Sequence, residues 1–232
     1  MRKVLLLADI HANLPALTAV LDKAGPVDLV LNAGDIVDYG PSPLETISAV
    51  KEFQGITVMG NHDRDCAVGN PLGYNPFAKM SCRWTHDRLG AAERAYLLGL
   101  PRSWEAVLEG VRVFLCHGSP RNLLDEYVTP DYPTNVLEGF MTTTGAQILV
   151  LGHTHIPLLR RFHPDRYLVN PGSVGQPRDG DPRASYAVLT LGDSKALRLE
   201  QARATYDVRE AAESILKAGL PPFLAERLYY GL

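Results

Sequence analysis

Cysteine is scarce in this sequence, and positive charge is not in excess. Only three of the 232 residues are cysteine, and their odd number and spacing match neither a disulfide framework nor a zinc-finger pattern. The 23 Lys and Arg residues are outnumbered by 26 Asp and Glu residues, which gives a formal net charge of -3. Such a chain has no broad basic surface of the kind that binds nucleic acid, so a nucleic-acid partner is not favoured.

Long apolar runs are also missing. The N-terminal segment MRKVLLLADI starts with basic residues and a short apolar run, but Asp9 ends that run before it reaches the length of a secretory signal. No later stretch is long enough to cross a membrane. We therefore expect a cytoplasmic protein without a membrane partner, in which the 46% of hydrophobic residues supply a sizeable core.

The N-terminal part of the chain alternates between two kinds of segment. Three continuous apolar runs end in polar residues, which predicts strands buried on both faces: KVLLLAD, VDLVLNAGD and GITVMGNHD. The segments between them, LPALTAVLDKA and SPLETISAVKEF, have helical spacing. This alternation predicts an α/β fold in which parallel strands are joined by crossover helices.

The remainder of the chain is less regular. Residues 64–110 have helical spacing and predict a mostly helical excursion, after which VRVFLCHG returns to the sheet and QILVLGH adds a strand. The segments RYLVNPGS, SYAVLTL and ALRLEQARA predict antiparallel strands of a second sheet or a sheet edge, and two helices end the chain. We expect one domain over residues 1–232.

Each predicted buried strand is followed by a small group of polar residues. The groups are Asp9 with His11, Asp35 with Asp38, Asn61 with His62 and Asp63, His117 alone, and His153 with His155. Because the carboxyl ends of parallel strands share one edge, we expect these side chains to converge. Nitrogen and oxygen donors without a thiolate suit Mn²⁺, Fe, Zn²⁺, Co²⁺ or Ni²⁺. Seven of these residues are the candidate ligands: Asp9, His11, Asp35, Asn61, His117, His153 and His155. Seven ligands exceed the needs of one tetrahedral ion and suit two ions that share a carboxylate.

Five of these segments, DIH, GDIVD, GNHD, HG and GHTH, resemble in type and order the motifs of the calcineurin-like metallophosphoesterase superfamily. The further segment NPGSVGQPRDGDPRASYAVL resembles the compact bacterial phosphodiesterase branch, so the resemblance extends from Asp9 to about residue 190. It implies two packed mixed β-sheets flanked by helices, in a four-layer α/β/β/α arrangement. Taken one at a time, Asp9 or Asp35 could simply cap a helix.

The resemblance also implies a role for each motif residue. One metal ion would be held by Asp9, His11, Asp35 and His155. A second would be held by Asp35, Asn61, His117 and His153, with Asp35 bridging the two. His62 matches the family's catalytic histidine, and Asp38 matches the acid that orients it.

The sequence departs from the family pattern at three points. Ala12 stands where the family commonly has glycine, a change that we expect to leave the ligands untouched. Tyr39 stands where serine/threonine protein phosphatases have a phosphate-binding arginine, and GNHD replaces their GNHE. The last two departures disfavour a protein phosphatase and favour the small bacterial branch.

Four further residues are candidate substrate contacts: Asn13, Tyr39, Arg64 and Arg178. Arginine suits phosphate because its planar guanidinium donates two parallel hydrogen bonds. The alternative for each arginine is an ordinary solvated surface position.

These features predict a dinuclear metal-dependent phosphoesterase that hydrolyses phosphodiesters or small phosphomonoesters, nucleotides included, through a metal-bridging hydroxide. Two divalent transition-metal ions are the expected cofactors, with Mn²⁺ as first choice. One alternative is a non-catalytic metal-binding scaffold on the same fold, and another is a nuclease, which the acidic balance disfavours. Apolar residues of the excursion and the C-terminal LYYGL are a candidate surface for a homo-oligomer.

Overall fold

Two five-stranded β-sheets form the centre of the protein. The computed structural model describes residues 1–163, 165–192 and 197–232. The first sheet contains, in spatial order, β10 (Leu197–Ala204), β9 (Ala184–Leu191), β1 (Arg2–Leu7), β2 (Leu29–Asn32) and β3 (Gly55–Thr57). The second sheet contains β4 (Ser103–Leu108), β5 (Val111–Cys116), β6 (Ile148–Val150), β8 (Arg166–Asn170) and β7 (Leu158–His163).

Helices cover the outer faces of both sheets. Those of the described residues are α1 (Leu14–Ala24), α2 (Pro43–Lys51), α3 (Asn61–Val68), α4 (Pro76–His86), α5 (Ala91–Leu98), α6 (Thr134–Thr144), α7 (Val208–Lys217) and α8 (Pro222–Tyr230). None of them exceeds 11 residues or has the apolar content needed to span a bilayer. The predicted layered architecture of two mixed sheets flanked by helices is therefore confirmed.

The apolar runs read from the sequence are strands with two buried faces. In β1, Leu5 and Leu7 pack with residues of α1, whereas Val4 and Leu6 pack between the two sheets. This follows from the two-residue period of a strand, which sends successive side chains to opposite faces. Full burial of each such leucine contributes about 1.5–3 kcal/mol to the stability of the fold.

Each sheet contains three parallel strands that are extended by antiparallel strands, on one side in the first sheet and on both sides in the second. Strands β1, β2 and β3 are parallel to one another, and so are β5, β6 and β8. Strands β9 and β10 extend the first sheet in antiparallel fashion, while β4 and β7 do so in the second. The polar groups of the sequence follow carboxyl ends of parallel strands in both sheets, so the site lies where the two sheets meet.

One expectation about strand pairing was wrong, because strands β5 and β6 do not return to the first sheet but build the second. Both alternatives for the later strands occur, since β9 and β10 lie at an edge of the first sheet and β8 pairs with β7 in the second. The predicted strand ALRLEQARA starts at Ala196, which lies outside the described residues. The apolar pattern shows that a strand is buried, but it does not specify the neighbouring strand, because that choice depends on tertiary contacts.

The excursion at residues 64–110 contains helices as predicted, but it ends in a strand that was missed. Strand β4 pairs with β5 as an antiparallel hairpin, and Leu108 stands opposite Val111. The two loop residues, Glu109 and Gly110, have φ angles of 48° and 80°. Positive φ at both positions is the signature of a tight hairpin turn, and the dipeptide Glu-Gly is a weak sequence signal for it.

Candidate metal centre

Short loops after the parallel strands hold the polar groups in an unusual backbone conformation. We call the loop segments 9–12, 35–39 and 153–155, together with His117 and residues 61–63 at the start of α3, the donor loops. Nine described non-glycine residues have positive φ, and all except Glu109 lie in the donor loops: Asp9, His11, Ala12, Asp35, Asp38, Tyr39, His153 and His155. Such conformations cost on the order of 1–3 kcal/mol each and concentrate at functional sites.

Backbone hydrogen bonds between the donor loops hold this conformation. The N–H groups of Asp9, His11 and Ala12 donate to the carbonyl oxygens of Gly34, Asp35 and Ile36 over 3.0, 3.0 and 2.8 Å. The loop after β1 is therefore joined to the loop after β2 along its length. These contacts supply the tertiary support that left-handed backbone needs.

A buried carboxylate, Asp63, organises the same loops, and the sequence reading assigned it no role. It accepts hydrogen bonds from the N–H groups of Asp35, Ile36 and Gly60 over 2.9, 2.8 and 3.0 Å. A Cβ on Gly60 would overlap the Asp35 carboxylate, so only glycine fits there. The available sequence signal was the position of Asp63 three residues after Gly60, where a carboxylate can accept the N-cap N–H group of α3.

The first donor cluster contains two histidines that face each other. Donor atoms of Asp9, His11, Asp35 and His155 lie within 4.8 Å of one another, and all four residues are buried. The two Nε2 atoms of His11 and His155 are 3.0 Å apart. Burial lowers the pKa of both histidines well below the usual value, so both rings are neutral at pH 7.

The tautomer of each ring is set by the backbone. His11 Nδ1 lies 3.0 Å from the Val37 carbonyl oxygen, and His155 Nδ1 lies 2.6 Å from the Gln176 carbonyl oxygen. Because a carbonyl oxygen only accepts, each neutral ring donates from Nδ1 and presents a lone pair at Nε2. Two lone pairs that face each other over 3.0 Å are the arrangement that a cation would stabilise.

The second cluster lies on the other side of Asp35 and contains Asn61, His117 and His153. His117 Nε2 lies 3.0 Å from Asn61 Oδ1 and 3.1 Å from His153 Nδ1. His117 Nδ1 lies 2.7 Å from the Ala33 carbonyl oxygen, which orients the ring. His153 Nε2 is buried and has no hydrogen-bond partner among the described residues. Burial and the neighbouring His117 lower the pKa of His153 to about 2, so this ring is neutral as well.

Asp35 belongs to both clusters. Its Oδ1 accepts a hydrogen bond from the backbone N–H group of His62 over 2.8 Å. Its Oδ2 lies between the two clusters. Asp35 Oδ2 lies 3.7 Å from His11 Nε2 and 3.2 Å from His117 Nε2. Burial alone would raise the pKa of Asp35, but the imidazoles of His117 and His62 outweigh it and hold that pKa well below its usual value.

Two other groups respond to the crowding of charge in the centre. Burial raises the pKa of Asp9 to about 7, although His117 opposes the shift. Burial works against the charged form of His117, but the Asp35 carboxylate outweighs it and raises the His117 pKa to about 9. A cation bound at Asp9 and His117 would displace the protons that these raised pKa values favour.

His62 lies beside the clusters and is oriented by Asp38. Its Nδ1 donates to Asp38 Oδ2 over 2.6 Å, so Nε2 points to the cleft, 3.3 Å from the Tyr39 hydroxyl. Asp38 Oδ1 accepts hydrogen bonds from the Ser81 hydroxyl and the Tyr39 N–H group. Burial would lower the pKa of His62, but the nearby Asp35 and the hydrogen bond to Asp38 raise it above its usual value.

The four predicted substrate contacts occupy different environments. Tyr39 and Arg178 line the cleft next to His62. Asn13 caps α1 through its Oδ1, and its Nδ2 donates to the Gly175 carbonyl oxygen over 2.9 Å. Arg64 forms ion pairs with Asp65 at 2.6 Å and Asp125 at 3.1 Å. All four stay predictions, and the structure provides Asn13 and Arg64 with partners other than a substrate.

The cleft is also lined by residues that the sequence reading did not select, among them Tyr127, Phe223 and Arg227. Phe223 and Arg227 lie on α8, about 160 residues along the chain from His62. No local motif marks them, because their place at the site results from the packing of α8.

Comparisons with known proteins agree with this geometry. A family model of the calcineurin-like phosphoesterase superfamily domain matches residues 2–194. The chain is 33% identical to the protein MJ0912 of Methanocaldococcus jannaschii over 98% of both chains. It is 29% identical to phosphodiesterase YfcE of Escherichia coli, over 82% of this chain and 88% of YfcE.

A solved structure extends the likeness to the fold. The crystal structure of a metallophosphoesterase from Sphaerobacter thermophilus matches with a TM-score of 0.83 at 36% identity, and the match covers 100% of this chain and 99% of that one. The His and Asp clusters described above indicate divalent-metal binding in the same fold. By sequence, fold and site chemistry, this chain belongs to the calcineurin-like phosphoesterase superfamily.

Proposed function

We propose that the protein is a dinuclear metal-dependent phosphoesterase that hydrolyses phosphodiesters or small phosphomonoesters. The observation that carries the proposal is the pair of buried donor clusters that share Asp35, with the oriented His62 beside them. The family membership supports hydrolysis of a phosphate ester, and the relative named as a phosphodiesterase supports a diester.

The donor chemistry fits two divalent transition-metal ions. Asp9, His11, Asp35 and His155 would hold one ion, and Asp35, Asn61, His117 and His153 would hold the other. The facing lone pairs of His11 and His155 and the buried Asp35 Oδ2, which has no hydrogen-bond partner among the described residues, support this assignment. Mn²⁺ is our first choice, and Fe, Zn²⁺, Co²⁺ and Ni²⁺ suit the same donors. Bound ions of this kind would activate water at neutral pH and neutralise charge on the phosphoryl oxygens.

The protein's own catalytic contribution would come from His62. Its raised pKa favours the protonated ring at neutral pH, and Asp38 fixes the ring so that the Nε2 proton points into the cleft. From there it can be donated to the leaving oxygen of the ester, and general acid catalysis of this kind contributes about 10²–10⁴-fold. Tyr39, whose hydroxyl lies near the same nitrogen, would help to place that oxygen.

Arg178 and Tyr39 would contact the substrate, since both line the cleft at His62. Arg178 also interacts with the hydroxyl groups of Tyr39 and Tyr127, and these contacts hold its guanidinium group in the cleft. A fixed guanidinium there can bind a phosphoryl oxygen without losing much conformational freedom.

Hydrolysis of bis-p-nitrophenyl phosphate tests the proposal directly. We expect turnover by protein loaded with Mn²⁺, and the reaction should be repeated with Fe, Zn²⁺, Co²⁺ and Ni²⁺. Absence of turnover with every ion would favour the alternative, a metal-binding scaffold on the same fold. The pairing of His62 with Asp38 argues against that alternative, because a scaffold does not need an oriented proton donor.

A further inference from the structure

The cleft beside His62 continues outward from the donor loops. It has a volume of about 480 Å³, and its walls come from segments far apart in the sequence. We call its part beyond His62 the outer cleft; its main side chains are Tyr74, Tyr127, Arg178, Phe223 and Arg227. A substrate bound at the donor loops would extend into this space.

Two arginines line the outer cleft, and no carboxylate among the described residues lines it with them. Arg178 donates from Nη2 to Gln176 Oε1 over 3.0 Å, while its Nε is buried without a hydrogen-bond partner in the described part of the chain. Arg227 donates from Nε to an oxygen of Leu232, the last residue of the sequence, and its guanidinium lies 5.3 Å from the centre of the Phe223 ring. The adjacent carboxylate, Asp179, is already paired with Arg203.

The two cations repel each other. Burial, together with the neighbouring Arg178, lowers the pKa of Arg227 to about 10. Some surface arginines are paired with a carboxylate, as Arg209 is with Glu213. An anion between Arg178 and Arg227 would relieve the repulsion and accept charge-assisted hydrogen bonds from both.

The segments that carry the arginines are attached to each other. The N–H group of Gly180 donates to the carbonyl oxygen of Gly231 over 3.0 Å. Gly231 ends α8 at a φ of 64°, and a Cβ there would overlap the backbone of Asp181. The spacing of Arg178 and Arg227 is therefore set before any ligand binds, which reduces the entropy that binding costs.

Aromatic rings form the remaining wall. The Tyr74 ring lies 4.6 Å from the His62 ring, and the Tyr127 ring lies 3.8 Å from the His153 ring. Phe223 stacks on Phe77 at 4.9 Å with an interplanar angle of 26°, and both remain 42% exposed. Tyr127 and Phe223, which are 53% and 42% exposed, offer aromatic surface that a planar ring of a ligand can contact.

We infer that the outer cleft selects phosphate esters that carry a second anionic group and a planar ring, as a nucleoside bisphosphate does. The inference rests on the proposed function, because the esterified phosphate is taken to lie at the donor loops beside His62. The second anion then lies between Arg178 and Arg227, and the ring lies against the aromatic wall. A simple phosphate ester would leave both features unused.

Calorimetric titration of Mn²⁺-loaded protein with three ligands tests the inference. Adenosine 3′,5′-bisphosphate should bind at least about tenfold more tightly than adenosine 5′-monophosphate, a difference of about 1.4 kcal/mol. Adenosine 5′-monophosphate should in turn bind at least about threefold more tightly than ribose 5-phosphate, which lacks the ring. Equal affinities for the first two ligands would overturn the inference.

Variants assign the effect to the outer cleft. In Arg227→Gln the preference for the bisphosphate should fall below about threefold. Arg178→Gln should reduce the preference to the same extent, so the test can still be made if one of the two variants does not fold. The control Arg209→Gln changes an exposed arginine on α7 and should keep the full preference. A preference that survives in folded Arg227→Gln and Arg178→Gln contradicts the assignment.

The same preparation separates this inference from the proposed function. Turnover of bis-p-nitrophenyl phosphate without any preference among the three ligands would remove the outer cleft's role and keep the esterase. A preference for the bisphosphate without turnover under any divalent metal would keep the binding cleft and remove the esterase.

Discussion

The donor loops and the outer cleft are adjacent, but they are built in different ways. The donor loops directly follow parallel strands, and backbone hydrogen bonds and the Asp63 carboxylate hold them in left-handed conformations. The outer cleft is assembled from side chains of distant segments, and its α8 side is attached to the Arg178 loop through Gly231. On the two proposals above, the chemistry would reside in a part held by backbone hydrogen bonds, while substrate choice would reside in a part that depends on one packed helix.

Removal of the shared carboxylate should break the donor loops most completely. In Asp35→Ala both clusters lose their common donor, so we expect both metal ions to be lost. We also expect the rate of phosphate-ester hydrolysis to fall on the order of 10³-fold. Elemental analysis of the purified variant measures the metal directly. The control Asp22→Ala changes an exposed carboxylate and should keep the wild-type content. Unchanged metal in Asp35→Ala would refute the bridging role.

Removal of the proposed proton donor, His62, should separate catalysis from metal binding. In His62→Ala we expect turnover of bis-p-nitrophenyl phosphate to fall by about 10²–10⁴-fold, with metal content retained, because His62 is not among the donors. Steady-state kinetics and elemental analysis on one sample check both parts. His86→Ala is the matched control, since His86 bonds to the Cys66 carbonyl oxygen outside the cleft. Equal loss of metal in His62→Ala would contradict the assignment.

The support beneath the donor loops can be weakened without touching a donor. Asp63→Asn places an amide N–H₂ group against backbone N–H donors, so we expect a loss of about 1–3 kcal/mol in the free energy of unfolding. Urea denaturation measures it. The exposed Asp87→Asn should change stability by less than about 0.5 kcal/mol. A neutral result for Asp63→Asn would show that the carboxylate is not a structural support.

The outer cleft can be loosened by itself at Gly231. In Gly231→Ala the new methyl group overlaps the Asp181 backbone and strains a positive φ, so we expect a loss of about 1–2 kcal/mol with metal content unchanged. Gly219→Ala separates the two causes, because Gly219 has a φ of 74° but no atom near its Cβ position. If both variants lose the same stability in thermal unfolding, the contact with Asp181 contributes nothing.

The smallest expected effect concerns backbone strain in the donor loops. Ala12 has a φ of 51°, a conformation in which glycine is more stable. Ala12→Gly should therefore raise the free energy of unfolding by about 0.5–1 kcal/mol, since relief of strain exceeds the added flexibility of the unfolded chain. Ala19→Gly, inside α1, should instead lower it by about 1 kcal/mol. A loss of stability in Ala12→Gly would show that its backbone is unstrained.

Much of the fold could be predicted from local patterns. Helix α1 has the predicted bounds, Leu14–Ala24, because it combines helical spacing with a defined end. The membership of β5 in the second sheet could not be predicted, since its apolar pattern suits either sheet. Strand β4 was missed because its turn, Glu109–Gly110, is only a weak local signal.

The same distinction holds at the site. The order and type of the motif residues were sufficient to predict which side chains lie close together, because residues that follow parallel strands meet at the strand ends. The positioning role of Asp63 was not evident, since its hydrogen bonds to Asp35 and Ile36 join segments that are distant in sequence. Arg227 and Phe223 could not be predicted at all.

The sequence by itself determined most of the elements, the family and the identity of the candidate donors, because apolar periodicity and short polar motifs are local properties of the chain. Tertiary structure alone decided the pairing of the two sheets, the left-handed backbone of the donor loops and the composition of the outer cleft. The physical reason is that these features depend on contacts between distant segments, whose energies no local stretch of residues contains.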